Sequence, residues 1–282
     1  MDLILQGLNT DHTAILNVIS MAQPKRVVEL GPFAWRCEGV RDNEEFRESV
    51  DIACTALRTD YAFVEQDLKL ADFKLVAMDM DSTLITIECI DEIADMQGLK
   101  PQVAEITEAA MRGEIAFGES LMRRVALLKG LDAGALQRVY DERLKLSLGA
   151  EEMLQAVQAA GLKTLLVSGG FTFFTDRMKQ RLKLDYSHSN ELEIVDGKLT
   201  GKVLGGIVDA EEKRLTVERV CVELGISPQQ AIVMGDGAND LAMMGISGLS
   251  VAFRAKPVVR EQAGMALNFV GLDGILNVLR KA

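Results

Sequence analysis

The stretch that most constrains this chain is Leu75-Val76-Ala77-Met78-Asp79-Met80-Asp81-Ser82-Thr83, an apolar run that passes directly into two aspartates one residue apart and then two hydroxyls. A short continuous apolar run is what a parallel strand buried on both faces requires, and ligands of open α/β sheets collect at the carboxyl ends of such strands. Residues two apart on an extended segment leave the same side. Asp79 and Asp81 can therefore converge on one reacting group, one attacking while the other moves protons. Read alone, the stretch could equally be a polar turn capping a helix, because Asp, Ser and Thr are common N-caps. Two further segments of the same kind argue against that reading. Thr164-Leu165-Leu166-Val167 runs into Ser168-Gly169-Gly170, and Ala231-Ile232-Val233-Met234 runs into Gly235-Asp236-Gly237-Ala238-Asn239-Asp240, with Lys213 on a helical stretch between them.

Around these three strands the pattern alternates regularly. Helices are expected over 150–160, 171–182 and 211–224, the last stopped by Gly225, and strands over 163–167, 249–253 and 266–269, with a closing helix over 274–280. Asp196-Gly197 marks a hairpin between strands 191–195 and 198–204. Strands alternating with helices imply a doubly wound parallel sheet with right-handed crossovers. Residues 88–146 stay helical, broken at 96–98, 112–114 and 130–132, and form an insertion after the first strand of this core.

The first 65 residues read differently. A strand over 2–6, a helix over 10–21 ended by Pro24, strands over 26–30 and 33–37 flanking Gly31-Pro32, a helix over 44–57 and a strand over 60–65 give the order of a ferredoxin-like α+β domain. Residues 66–72 are the junction, so the division expected is 1–71 and 72–282. Small domains of this order bind amino acids or pair with copies of themselves. By fold alone this one resembles the ACT-like regulatory modules of biosynthetic enzymes, and a packing or dimerising role, with a homodimer through this domain, is an equal expectation.

With the strand-end motifs in this order, the chain resembles the haloacid dehalogenase superfamily over residues 72–282. Two segments, Thr83-Leu84-Ile85-Thr86-Ile87-Glu88-Cys89-Ile90-Asp91-Glu92-Ile93-Ala94 and Phe117-Gly118-Glu119-Ser120-Leu121-Met122-Arg123-Arg124-Val125, are similar to those of its phosphoserine-hydrolysing branch. The resemblance implies a HAD-like core under a helical cap. It also implies conversion of L-phosphoserine to L-serine and phosphate, the last step of serine biosynthesis, through an aspartyl phosphate. On this resemblance Asp79 is the nucleophile and Asp81 the acid and base. Asp79, Asp236 and the main-chain carbonyl of Asp81 hold Mg2+, with Asp240 behind them orienting metal-bound water or Lys213. Ser168, Gly169, Gly170 and Lys213 meet the phosphate, Asn239 helps position that lysine or the phosphate, and Glu88 and Arg124 meet the ammonium and carboxylate of the substrate. Met111 and Phe117 match apolar cap residues that shield the site, and Met80, where many relatives carry Phe, is expected to point away from it. Asp81 can act as an acid only if neutral, which hydrogen bonding or repulsion from Asp79 would favour. Two other functions fit the same residues. The same machinery serves another small phosphate monoester or an acceptor such as homoserine, or a vestigial phosphatase fold serves an amino-acid sensor, and the intact set Asp79, Asp81, Ser168, Lys213 and Asp236 argues against the latter.

Composition narrows the partners. A net charge of −11 opposes a nucleic-acid partner, and it means that a phosphate ester must meet locally concentrated positive charge, which Lys213, Arg124 and a divalent metal would supply. The start carries an acid at position 2 and no basic segment, unlike a signal peptide, and no apolar run approaches a membrane span. Cys37, Cys54, Cys89 and Cys221 are scattered without a C-x-x-C pair. Such spacing favours reduced thiols and a cytoplasmic protein.

Overall fold

The computed structural model describes all residues except 113 and 281–282, and the side chain of Met111 also lies outside the described residues. The chain builds two sheets. The first contains β1 (Asp2–Gln6), β2 (Arg26–Gly31), β3 (Ala34–Glu38) and β4 (Asp60–Val64), ordered β2-β3-β1-β4 with every neighbouring pair antiparallel. Helices His12–Ala22 and Glu44–Ala56 cover one face. Asp11 and Asn43 cap them by accepting backbone N–H bonds. This is the ferredoxin-like order expected. β3 starts one residue later than the sequence suggests, beyond the turn that Pro32 imposes.

The second sheet contains β5 (Leu75–Met78), β6 (Lys163–Phe171), β7 (Tyr186–Val195), β8 (Lys198–Leu204), β9 (Ala231–Gly235), β10 (Leu249–Phe253) and β11 (Met265–Leu267), ordered β11-β10-β9-β5-β6-β7-β8. It is parallel as far as β7 and ends in an antiparallel pair at β8. Residues 75–78 and 231–235 are buried throughout, which is why they read as unbroken apolar runs. The helical insertion consists of Cys89–Asp95, Lys100–Met111, Phe117–Leu127 and Gly134–Glu142, broken where the sequence indicated.

Several elements depart from expectation. β7 begins at Tyr186 rather than Glu191, because Ser187, His188, Ser189 and Asn190 form a polar inner strand whose partners come from elsewhere in the fold. β6 runs on through Ser168-Gly169-Gly170 to Phe171, so the next helix is Thr172–Leu182. The last strand lies at 265–267, not 266–269, and Leu241–Met244 and Pro257–Gln262 form short helices that the sequence did not signal.

The first sheet does not stand off as an appendage. Every residue of β1 is buried. Leu3 and Leu5 face the two N-terminal helices, while Ile4 joins Ala62, Val64, Val270, Ile275 and Val278 in the main core. Polar contacts tie the seam. Asp60 accepts N–H bonds from Asn268, Phe269 and Val270 at 2.7–2.9 Å, and Arg36 reaches Asp2 and the carbonyl of Val278. The four cysteines are free. Among the described residues no helix is long and apolar enough to cross a membrane.

Candidate active site

β5 lies between β6 and β9, with Met78 in register with Leu166 and Met234. The three strands therefore deliver their carboxyl ends to one edge, and with them Asp79, Ser168 and Asp236. Beyond β5 the backbone turns at once. Asp79 donates its N–H to the carbonyl of Met234, and the N–H of Ile85 closes a wide turn onto Met80. Ser82 holds φ 58° inside that turn, a left-handed conformation that costs a non-glycine residue about 1–3 kcal/mol.

Lys213 is the centre of the charge arrangement. It is fully buried, and its Nζ donates to Asp79 Oδ1 at 2.7 Å and to Asp240 Oδ1 at 2.8 Å. Burial opposes a charged lysine, but Asp240 and Asp79 outweigh it and hold the ammonium above its ordinary value. Its helix, Ala210–Leu224, starts at Asp209, whose side chain accepts the N–H of Glu212. Asp240 Oδ2 is occupied by the N–H groups of Asp236 and Gly237, so its carboxylate is satisfied by the protein. One ammonium thus faces a surplus of carboxylates. Burial pushes Asp79 upward, with Lys213 opposing. Burial and then the charge of Asp240 raise Asp236 to about 7. Oxygens of Asp79, Asp236 and Asp240 lie within 4.8 Å of one another, an all-oxygen group suited to a hard cation.

Asp81 stands beside this cluster. Its Oδ2 accepts the N–H of Cys89 at 3.0 Å, and its buried Oδ1 has no partner among the described residues. Burial, followed by the charge of Glu88, raises its carboxyl to about 7. The sequence pointed to hydrogen bonding or to repulsion from Asp79. The Cys89 N–H in fact lowers the value, and the repulsion comes from Glu88. Two groups that sequence reasoning gave no role act here. Ser82 Oγ donates to Glu88 Oε1 at 2.7 Å, and the largest favourable charge on Arg124 is Asp91, ahead of Glu88 and Asp81, with burial lowering the guanidinium. Asp91 lies one helical turn after Glu88, which was the available signal. Glu88 itself is exposed at the mouth, and its crowded surroundings still raise its carboxyl against the pull of Ser82.

The loop Ser168-Gly169-Gly170 leaves the β6–β7 ladder as a bulge. Ser168 Oγ is buried and accepts the N–H of Gly170 at 2.9 Å, so that N–H is turned onto the serine. A side chain at Gly170 would meet Ser168 Oγ at 3.0 Å, Met80 Cε at 3.1 Å and Asp81 Oδ2 at 3.5 Å. Met80 is therefore packed beneath the loop rather than merely turned away. One at Gly169 would meet Phe117 Cζ at 3.0 Å, so the cap rests directly on the loop. Asn239 is half-buried and folds over Gly237, with no hydrogen bond to Lys213 among the described residues. The shielding expected of Met111 falls on a side chain outside the described residues.

The site has recognisable counterparts. The haloacid dehalogenase-like hydrolase family profile matches residues 73–248. A phosphoserine phosphatase of Polaromonas sp. is 60% identical over 219 residues, which are 76% of this chain and 93% of that protein. The unliganded structure of a probable phosphoserine phosphatase from Vibrio cholerae superposes with a TM-score of 0.84 at 37% identity, over 99% of this chain and 86% of that one. A structure described as a phospho-aspartyl intermediate analogue of phosphoserine phosphatase has a TM-score of 0.69 at 38% identity, covering 74% of this chain and 99% of that one.

Proposed function

The chain belongs to the haloacid dehalogenase-like hydrolase family, and from that premise we propose how it hydrolyses L-phosphoserine to L-serine and phosphate, the last step of serine biosynthesis. Asp79 attacks phosphorus in line and carries the phosphoryl group. Asp81 protonates the departing serine oxygen and then takes a proton from the hydrolytic water. Its elevated value suits both tasks near neutral pH. Splitting the transfer at a covalent aspartyl phosphate replaces one difficult step with two easier ones.

Lys213, Ser168 and the loop N–H of Gly169 meet the equatorial oxygens, with Gly170 and Asn239 shaping that cradle. Lys213 also aims Asp79 and opposes the upward push of burial on its carboxyl. Asp79 and Asp236 would hold Mg2+, with the main-chain carbonyl of Asp81 completing the protein's share. The unsatisfied excess of carboxylate over ammonium fits a cation there, and Asp240 stays behind as the anchor of Lys213. When bound, the cation supplies positive charge to the transferring phosphoryl group. Phe117 and the cap helices exclude water around this charge, which strengthens each contact.

The observation that carries phosphoserine over other esters is the pair Glu88 and Arg124, of opposite charge and close to Asp81. Glu88 meets the substrate ammonium and Arg124 its carboxylate. The same proposal divides the chain at 71/72, places it in the cytoplasm, and lets a second copy pair along β2, an outer strand whose Val27 is exposed. Turnover across a panel of phosphate esters, with and without Mg2+ and with homoserine as acceptor, tests the function. Phosphoserine should be the preferred substrate and require metal. Equal rates on esters lacking the amino-acid groups would remove the substrate assignment, and no turnover of any ester would remove the phosphatase.

A further inference from the structure

The polar inner half of β7 carries one side chain that touches both halves of the phosphate cradle. Asn190 is 1% exposed. Its Nδ2 donates to the carbonyl of Gly169 at 2.8 Å, and its Oδ1 accepts the N–H of Val208 at 2.9 Å. The Val208 N–H has no backbone partner among the described residues. Gly169 lies where the β6–β7 pairing is interrupted, in the bulge where three residues on β6 face a single residue on β7 between the Val167–His188 and Phe171–Asn190 pairs. Val208 precedes Asp209, the cap of the helix that holds Lys213, and Lys213 donates its own N–H to the Asp209 carbonyl. One planar amide therefore spans from the serine loop to the base of the lysine helix. Phe117 of the cap sits against the same glycine.

Resting on the phosphoryl-transfer reading above, we propose that Asn190 is a positioning residue, whose amide bridge between Gly169 and Val208 fixes the spacing of Ser168 and Lys213 around the transferring phosphoryl group. Asparagine suits the place because it presents a donor at one end and an acceptor at the other. Aspartate would turn an acceptor onto the Gly169 carbonyl, and alanine would leave the buried Val208 N–H without its partner and the Gly169 carbonyl without the bridge. The loop and the helix have no other direct hydrogen bond between them among the described residues. Without the bridge they are free to separate, and a misplacement of catalytic groups by about 1 Å lowers rates by about 10²-fold.

The test uses the full-length, Mg2+-loaded enzyme with Asn190→Asp and Asn190→Ala. Near-UV circular dichroism gives the folded fraction, and kcat and KM are measured per folded molecule on phosphoserine and on p-nitrophenyl phosphate. Orthovanadate serves as a probe of the phosphoryl pocket. The expected result is folded protein with kcat down about 10²-fold on both substrates, orthovanadate inhibition weakened to a similar degree, and KM for phosphoserine little changed. A purely structural residue would lower melting temperature and yield while leaving kcat per folded molecule and orthovanadate inhibition at wild-type values, and that result would overturn the proposal. Failure of both variants to fold would likewise assign Asn190 to the fold. An inactive wild type would show instead that the phosphoryl-transfer reading itself is wrong.

Discussion

Both sheets of this molecule bury charge, and they do so to opposite ends. In the antiparallel sheet Asp2, Arg36 and Asp60 are 2–3% exposed. Arg36 donates to Asp2 and to the Val278 carbonyl, Asp2 also takes the N–H of Gly39, and Asp60 takes three successive N–H groups of the catalytic core. Among these three side chains, and among the described residues, Arg36 Nε alone is buried without a partner. Charge and hydrogen bonding are almost closed there, and the result is a seam. At the edge of the parallel sheet a single buried ammonium faces Asp79 and Asp240, with Asp236 and Asp81 close by, and one buried carboxylate oxygen has no partner among the described residues. Buried charge that is satisfied holds structure, and buried charge left in surplus awaits a ligand.

Substitutions at the two places should therefore separate activity from stability. Asp79→Asn removes the nucleophile and should lower turnover by at least ~10⁴-fold. It should not lower the melting temperature, because it takes one carboxylate out of a repelling group. A protein that unfolds several degrees earlier would mean that Asp79 belongs with the structural charges. Arg36→Met is the mirror experiment. It strands Asp2 in the seam and should cost about 3–5 kcal/mol of stability in denaturant unfolding, with kcat per folded molecule unchanged.

Arg124→Ala should cost about 2–5 kcal/mol in kcat/KM for phosphoserine and much less for p-nitrophenyl phosphate, which lacks the carboxylate. Equal losses on both esters would place Arg124 in the chemistry or the fold. The smallest effect is one of pH. Asp81 and Asp236 are raised from 3.8 to about 7. Their contribution to the stability of the metal-free protein is thus complete below pH 3.8 and lost as pH rises through about 7. Metal-free protein should melt at lower temperature at pH 8 than at pH 6, and Asp236→Asn should flatten that slope. An unchanged slope in the variant would show that Asp236 is not among the raised groups.

The sequence made the two sheets unequally legible. β5 and β9 could be read because strands buried on both faces are apolar throughout. Asp79, Asp81 and Asp236 followed because they interrupt those runs at the strand ends. Lys213 could be selected over Lys202, Arg214 and Arg219 only by its place after Asp209 and by family spacing, since the charged Glu211, Glu212 and Arg214 around it hide its burial. Residues 186–190 could not be read as a strand. Their polarity is answered across the fold, Ser189 by Thr175 at 2.7 Å and Asn190 by Gly169 and Val208. The docking of the first sheet was hidden for the same reason. Asp60 looks like an ordinary strand end until the three N–H groups, more than 200 residues away, are brought to it.

The surplus of carboxylate at the parallel edge is tested most directly by titrating Mg2+ into the metal-free protein at pH 7 in two buffers of different ionisation heat. If the carboxylates await a cation, calorimetry will show binding accompanied by net release of protons, because Asp236 and Asp81, raised to about 7, are partly protonated at that pH without metal. Asp236→Asn should bind weakly and release fewer. No binding, or binding without proton release, or binding equally tight in Asp236→Asn, would contradict the account.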